Sequence, residues 1–470
     1  MPACCKSASR AKVCASWDRR PWAAKTVRMR DSRSFIVSKS SNRERGQKHH
    51  GGMRQQAAHN NTIGYNHRRR AAAIYQGFTV TTASTTSPSW AWVKQLQSPQ
   101  IAAQHAHDVD QQARFPRESL AAFQSEKLLN APVSVAMGGK GLTMRGQCEL
   151  VALIAQRCGS SAMVLAMHYS QLACLTRNAQ GSAFFTQYLR DMADKQWLLG
   201  SMTSEVGTFG DTRSSICAVE REGDQFVLNK EATTGSYCAY ADAILVTARR
   251  ASDAQASDQV LVLVDKHQAQ LTHNGVWDTM GMRGTCSPGF SLRSQGGIEQ
   301  VFPTPYSEIA SQSMVPYSHT LWSALWWGLA YSAYDKAATL VRNQARKNPG
   351  QVPPAATRLA ELMVKVQAMR RHWQGVADEF DALVEQGSDT NTLQEMGWAL
   401  QFNSLKTAAS QAAPAIIQDA LLILGIPGFN NQGPLSVSRA LRDSLSGALM
   451  VSNERIAAKS ASMLLVYKDQ

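Results

Sequence analysis

The chain predicts an α+β fold, with a helical N-terminal domain, a middle β-barrel or sandwich domain and a C-terminal four-helix bundle. Three observations carry this expectation. Apolar residues recur at i, i+3, i+4 and i+7 through Cys148–Cys158 and Ser161–Arg177. From Ser201 that period gives way to short β-rich runs divided by turn residues. After Ser318 the helical period returns and continues to the C-terminus.

In order along the 470 residues, a basic extension is expected over 1–95, the helical domain over 96–198, the β-domain over 199–308 and the bundle over 309–470. Residues 1–100 hold 18 Lys and Arg against 3 Asp and Glu, whereas the remaining 370 hold 31 and 32. The net charge of +14 therefore belongs to the extension, and the body carries no polyanion-binding signature, so no nucleic-acid partner is expected. Three readings of the extension stay open. It is an Arg-rich transit peptide, a nucleic-acid-binding tail around His67-Arg68-Arg69-Arg70, or upstream sequence read from a misassigned start. The expected location is cytoplasmic, or mitochondrial if the transit reading holds. Nine cysteines lie scattered without a Cys-x-x-Cys pair or zinc spacing, so neither a disulfide framework nor a metal is expected. The apolar runs Leu321–Tyr334 and Ala420–Phe429 read as too short or too interrupted to span a bilayer, so no membrane partner is expected.

Within the helical domain, Arg114-Phe-Pro-Arg-Glu-Ser-Leu-Ala-Ala-Phe123 places a proline and an acidic first turn at a helix start, giving a helix within Gln111–Leu129. Gly138-Gly139-Lys140-Gly141 breaks the chain, paired helices follow, and Phe184–Leu199 forms another that ends at Gly200. The expected strands are Ile216–Glu220, Gln225–Leu228, Ala243–Thr247, Gln259–Val264, Gln270–Thr272 and Gly289–Arg293. The bundle reads as Leu321–Ala345, Ala355–Gln386, Leu393–Leu424 and Leu435–Leu465, broken by Pro349, Pro353-Pro354 and Gly387.

The loop Ser204-Glu205-Val206-Gly207-Thr208-Phe209-Gly210-Asp211, followed by Leu228-Asn229-Lys230 and Thr234-Gly235-Ser236-Tyr237, is the most informative part of the chain. With the order of domains, it resembles the acyl-CoA dehydrogenase family over roughly residues 100–470. In that family a Thr-Glu-Pro-x-x-x-Ser-Asp loop lies along the isoalloxazine ring of FAD. The Glu205 to Asp211 spacing is kept here, while the proline and serine are absent. The resemblance thus implies FAD, contacted by Ser204, Glu205, Gly207, Gly210 and Asp211. A second family element, Leu-Asn-Gly-x-Lys-x-Trp-Ile-Thr-Asn, puts Thr234 at the tryptophan and Ser236 at the threonine whose hydroxyl serves flavin N5. Tyr237 and Tyr240 are the aromatics available to replace the lost tryptophan. Arg346-Lys347-Asn348-Pro349-Gly350 matches an Arg-x-x-Phe-Gly element that reaches a neighbouring subunit's cofactor, implying a role for Arg346 in a homodimer or homotetramer. Gly425-Ile426-Pro427-Gly428-Phe429 matches the adenine-side glycine turn, implying Gly425 and Gly428.

Dehydrogenation of an acyl thioester needs a carboxylate over the substrate α-carbon. Relatives place it nine residues after an Arg-Asp pair. Counting from Arg442-Asp443, that residue is Val451, which takes no proton. Glu454, nearly one helical turn on, and Asp335, on the first long C-terminal helix, are the candidate bases. The resemblance implies α,β-dehydrogenation of a thioester on CoA or a carrier protein, with electrons passing to an electron-transferring flavoprotein. A flavin monooxygenase on the same fold and a non-catalytic acyl- or flavin-binding protein remain the alternatives. His168, on an apolar helix, reads as a core histidine.

Overall fold

The computed structural model describes residues 90–178 and 181–468, so every expectation for the basic extension short of its last few residues lies outside the described residues. The helical domain contains α1 (Ser98–Gln111), α2 (Arg117–Ser125), α3 (Met144–Ala155), α4 (Gly159–Asn178) and α5 (Ala183–Lys195). Helix α1 is absent from the sequence reading, although Pro99 sits in its first turn and Ala102, Ala106 and Val109 line one buried face. The helix expected within Gln111–Leu129 shortens to α2, because Ala113 takes a left-handed φ of 48° and Pro116 ends the approach.

The middle domain is a sandwich of two sheets. Strands β1 (Leu199–Met202), β4 (Ala243–Arg249) and β5 (Gln259–Asp265) form the first, in the order β1-β4-β5, with β1 parallel and β5 antiparallel to β4. Strands β2 (Glu220–Glu222), β3 (Gln225–Ala232), β6 (Ala269–Asn274) and β7 (Gly289–Gly297) form the second, antiparallel throughout in the order β2-β3-β7-β6. The continuous apolar runs of β4 and β5 follow from coverage on both faces. Leu245, Leu261 and Leu263 face α4 and α5, and Ile244, Val246, Val260, Val262 and Val264 join the core shared with the second sheet. In β3 only alternate residues, Phe226, Leu228, Lys230 and Ala232, turn inward. The expected strand Ile216–Glu220 reduces to a single bridge from Ala218 to Arg249 before β2 begins.

The C-terminal domain runs from the one-turn α6 (Tyr306–Ile309), through a π-helical turn, into α7 (Val315–Lys347) and α8 (Ala356–Glu385). After the short α9 (Asp389–Thr392) come α10 (Met396–Leu424), the single turn α11 (Ile426–Phe429), α12 (Ser438–Leu445) and α13 (Asn453–Leu464). The expected helix Leu435–Leu465 divides because the chain turns at Ser446–Ala448 and Val451 adopts φ of 47°, a costly conformation for a β-branched residue. Among the described residues α10 alone has the length and composition to cross a membrane, which the interrupted apolar runs understated. It packs along α7 and α8 through Phe402, Leu405, Ala409, Ala413 and Ile417.

Candidate functional site

Two segments singled out in the sequence meet at the end of β1. The Ser204 hydroxyl accepts from the Thr234 amide at 3.1 Å and donates to the Thr234 carbonyl at 3.0 Å. Two residues on, the Val206 amide donates to the Glu231 carbonyl at 2.8 Å. Beyond this clasp the loop turns through left-handed conformations at Gly207 (φ 90°), Phe209 (φ 52°) and Gly210 (φ 79°). The positive φ at Gly207 favours glycine there, since the only contact a side chain would make is with the movable end of exposed Ile216. The amides of Val206, Thr208 and Asp211 are bonded within the protein, whereas those of Gly207, Phe209 and Gly210 have no acceptor among the described residues. Phe209 and Gly210 are consecutive, and exposed backbone amides on a glycine-rich turn can donate to electron-rich oxygens, which suits flavin carbonyl or phosphate groups. Asp211 is half-buried at the loop's end. The Arg213 amide, with help from the Arg213 and Arg455 guanidinium groups, holds its carboxyl below the usual range.

The Glu205 side chain turns inward, away from these exposed amides. It is buried, its oxygens accept the amides of Ile216 at 3.1 Å and Cys217 at 2.6 Å, and it pairs with Lys230 at 3.1 Å. Lys230 also donates to the Thr247 carbonyl at 2.7 Å. Residues from the loop, β3 and β4 are thereby locked together, and the expectation that Glu205 contacts a cofactor is met by a carboxylate already saturated inside the sandwich. Lys230 was missed in the sequence, although a lysine on the inward register of an alternating strand signals a buried counter-charge.

Ser236 lies at one end of a hydroxyl chain. Ser287 donates to it at 2.9 Å and contacts Thr285 at 2.8 Å, leaving the Ser236 proton without a protein acceptor. Tyr237 is a core residue, its hydroxyl donating to the Leu199 carbonyl at 3.0 Å. Tyr240 stacks on Phe115 with centroids 4.4 Å apart and carries the Arg117 guanidinium over its ring.

The segment between α12 and α13 closes over the loop. Arg455, in the first turn of α13, donates to the Phe209 carbonyl and brings its guanidinium within 3.3–3.4 Å of where a Cβ at Gly210 would stand. Neighbouring Glu454 is exposed and, among the described residues, forms no ion pair or hydrogen bond through its side chain. Val451 is half-exposed, and its carbonyl accepts from Lys406 at 2.8 Å. Lys406 is buried in α10, also donates to Asn453 at 2.7 Å, and burial draws its amine down to about 8. His319 nearby is pushed down to about 3 by burial and by Lys406. Arg442 holds Asp110 of α1 through two bonds of 2.9 and 2.5 Å, while buried Asp443 accepts the Met282 amide at 2.7 Å. These two residues tie α12 to the helical domain and to the loop before β7.

The remaining predicted residues lie apart from this cluster. Asp335 is exposed on α7, two turns before Arg342. Arg346 is exposed at the end of α7, with Asn343 as its partner at 3.3 Å. Gly425 takes φ of 64° at the end of α10, and Gly428 is buried where a side chain would meet Leu424 Cβ at 2.6 Å. His168 is a core residue. Its Nδ1 accepts the Leu199 amide at 3.0 Å, its Nε2 faces the Leu129 carbonyl at 2.6 Å, and burial draws it down to about 4.

Residues 92–196 match the model of the acyl-CoA dehydrogenase N-terminal domain and residues 311–450 that of its C-terminal domain. The amino sugar nitrososynthase DnmZ of Streptomyces peucetius is 22% identical, over 73% of this chain and 85% of that protein. The FMN-bound crystal structure of TdsC from Paenibacillus sp. A11-2 superposes with a TM-score of 0.68 at 19% identity, over 79% of this chain and 97% of that one. Butyryl-CoA dehydrogenase of Megasphaera elsdenii superposes with a TM-score of 0.67 at 16% identity, over 78% and 97%. With both terminal domains matched on either side of the β-sandwich, the chain belongs to the acyl-CoA dehydrogenase family, whose members depend on flavin.

Proposed function

We propose that this protein is an FAD-dependent oxidoreductase that oxygenates an organic substrate with a flavin reduced elsewhere. The free amides at Gly207, Phe209 and Gly210 would hold the flavin, Ser236 would donate its spare proton to it, and Arg455 would close α13 over it. Bound reduced flavin supplies two electrons to dioxygen; the substrate supplies two more and takes one oxygen atom, the other leaving as water.

The observation that carries this reading over dehydrogenation is the environment of residue 451. A base that takes a proton from the substrate α-carbon must be a titratable side chain held within reach of that carbon. Position 451 is a valine whose carbonyl is tied to Lys406. Glu454 and Asp335 both sit in solvent. Likeness to a nitrososynthase supports the same direction. The test begins with an anaerobic spectrum of the FAD-loaded protein mixed with a panel of acyl-CoAs. A flavin band unchanged by every acyl-CoA is the expected outcome. Bleaching by an acyl-CoA would overturn oxygenation in favour of thioester dehydrogenation, with Glu454→Gln then the variant that identifies the base. In that case electrons would go to an electron-transferring flavoprotein.

A further inference from the structure

A cavity of about 290 Å³ opens among α1, the α3–α4 junction, α7 and the connection from α11 to α12. None of its lining residues belongs to the loop, the hydroxyl chain or the Val451 segment. Arg157, Lys336 and Arg439 converge on it, with Gln156, Ser332 and Ser436 beside them. None of these three cations forms an ion pair among the described residues, although the buried Asp443 carboxyl feels the charge of Arg439. The one carboxylate in the lining, Asp110, is held by Arg442 through two bonds.

The cations also retain unused donors. Lys336 gives one N–H to the Ser436 carbonyl at 2.5 Å, leaving two. Burial, reinforced by Arg439, draws its amine down to about 8, which reflects a cation held out of water without a counter-ion. Arg439 gives one N–H to the Arg157 carbonyl at 2.9 Å. Ala155, Leu329 and Ala440 add apolar surface to the lining.

We propose that this cavity binds a small organic phosphate, its dianionic head held by Arg157, Lys336 and Arg439 and its organic part against the apolar surface. Arginine forks match phosphate oxygens in pairs, and three cations exceed what one carboxylate would need. The site's occupancy does not depend on which reaction the flavin performs. Isothermal titration of the FAD-loaded full chain with phenyl phosphate, inorganic phosphate and benzoate tests the assignment. Phenyl phosphate should bind saturably and about tenfold more tightly than either other probe. Arg439→Gln should weaken it about tenfold, as expected for loss of a charge-assisted hydrogen bond. Arg157→Gln, at an exposed side chain where folding is not at stake, should weaken it in the same direction. Absence of saturable heat, or wild-type affinity in both variants, would overturn the site. Equal affinity for inorganic phosphate would reassign it to the free ion and overturn the organic ligand.

Discussion

Replacing Lys230 by Met isolates the contribution of the ion pair beneath the glycine loop. The Lys230 side chain is fully buried and that of Glu205 is 4% exposed, so neither charge can turn to water. Without the ammonium, the carboxylate keeps only the amides of Ile216 and Cys217, and the Thr247 carbonyl loses a donor at 2.7 Å. Breaking a buried pair by removing one partner costs about 3–5 kcal/mol. Glu205→Gln should cost a similar amount, because it strands the ammonium. The double variant keeps an amide acceptor at 205 and buries no charge, so its loss should be smaller than the sum of the singles by about 2 kcal/mol or more. Urea unfolding of the four proteins, followed by tryptophan fluorescence, measures the cycle, with a drop of roughly 1 M in midpoint for each single variant. Strict additivity, or a loss below about 1 kcal/mol for Lys230→Met, would refute the assignment of Glu205 to the framework.

Three further outcomes follow from the same geometry. His168 is neutral in the fold and titrates near 4, below its ordinary 6.5, so its contribution is complete above 6.5 and lost as pH falls from 6.5 towards 4; thermal melts should show His168→Gln lacking that slope, which amounts to about 3 kcal/mol at most. Asp443 has the opposite sign: burial raises it to about 6 from 3.8, so wild type loses stability as pH rises between these values, and Asp443→Asn should gain on wild type by up to about 3 kcal/mol across that window. Arg455→Ala removes the donor that holds the Phe209 carbonyl, and FAD affinity by fluorescence titration should fall about tenfold; unchanged affinity would detach α13 from the site.

Much of this architecture is legible in the residues because it rests on periodicity. The apolar stripe of α4 and the double-faced runs of β4 and β5 state their burial directly. The strand β1 was hidden because four residues ending a helical pattern carry no period of their own; its parallel pairing with β4 comes from contacts 44 positions away. The loop's glycines marked the turn, but the inward turn of Glu205 depends on Lys230, whose significance appears only once β3 is paired. Arg455 and Lys406 carried no motif. Their roles arise where α10 and α13 cross the loop, which no local pattern encodes. Val451 was readable from spacing alone, and its left-handed backbone was not.

The bond from the Leu199 amide to His168 has a mechanical consequence. Strand β1 starts where the helical domain ends, yet its first amide terminates on an imidazole in the middle of α4, and its first carbonyl receives the Tyr237 hydroxyl. The link between helical domain and sheet is therefore a weld and not a hinge. A protease cut at 198–199 would leave the Leu199 donor and its His168 acceptor on opposite pieces. Fragments divided there should fail to fold separately and should recover only when combined.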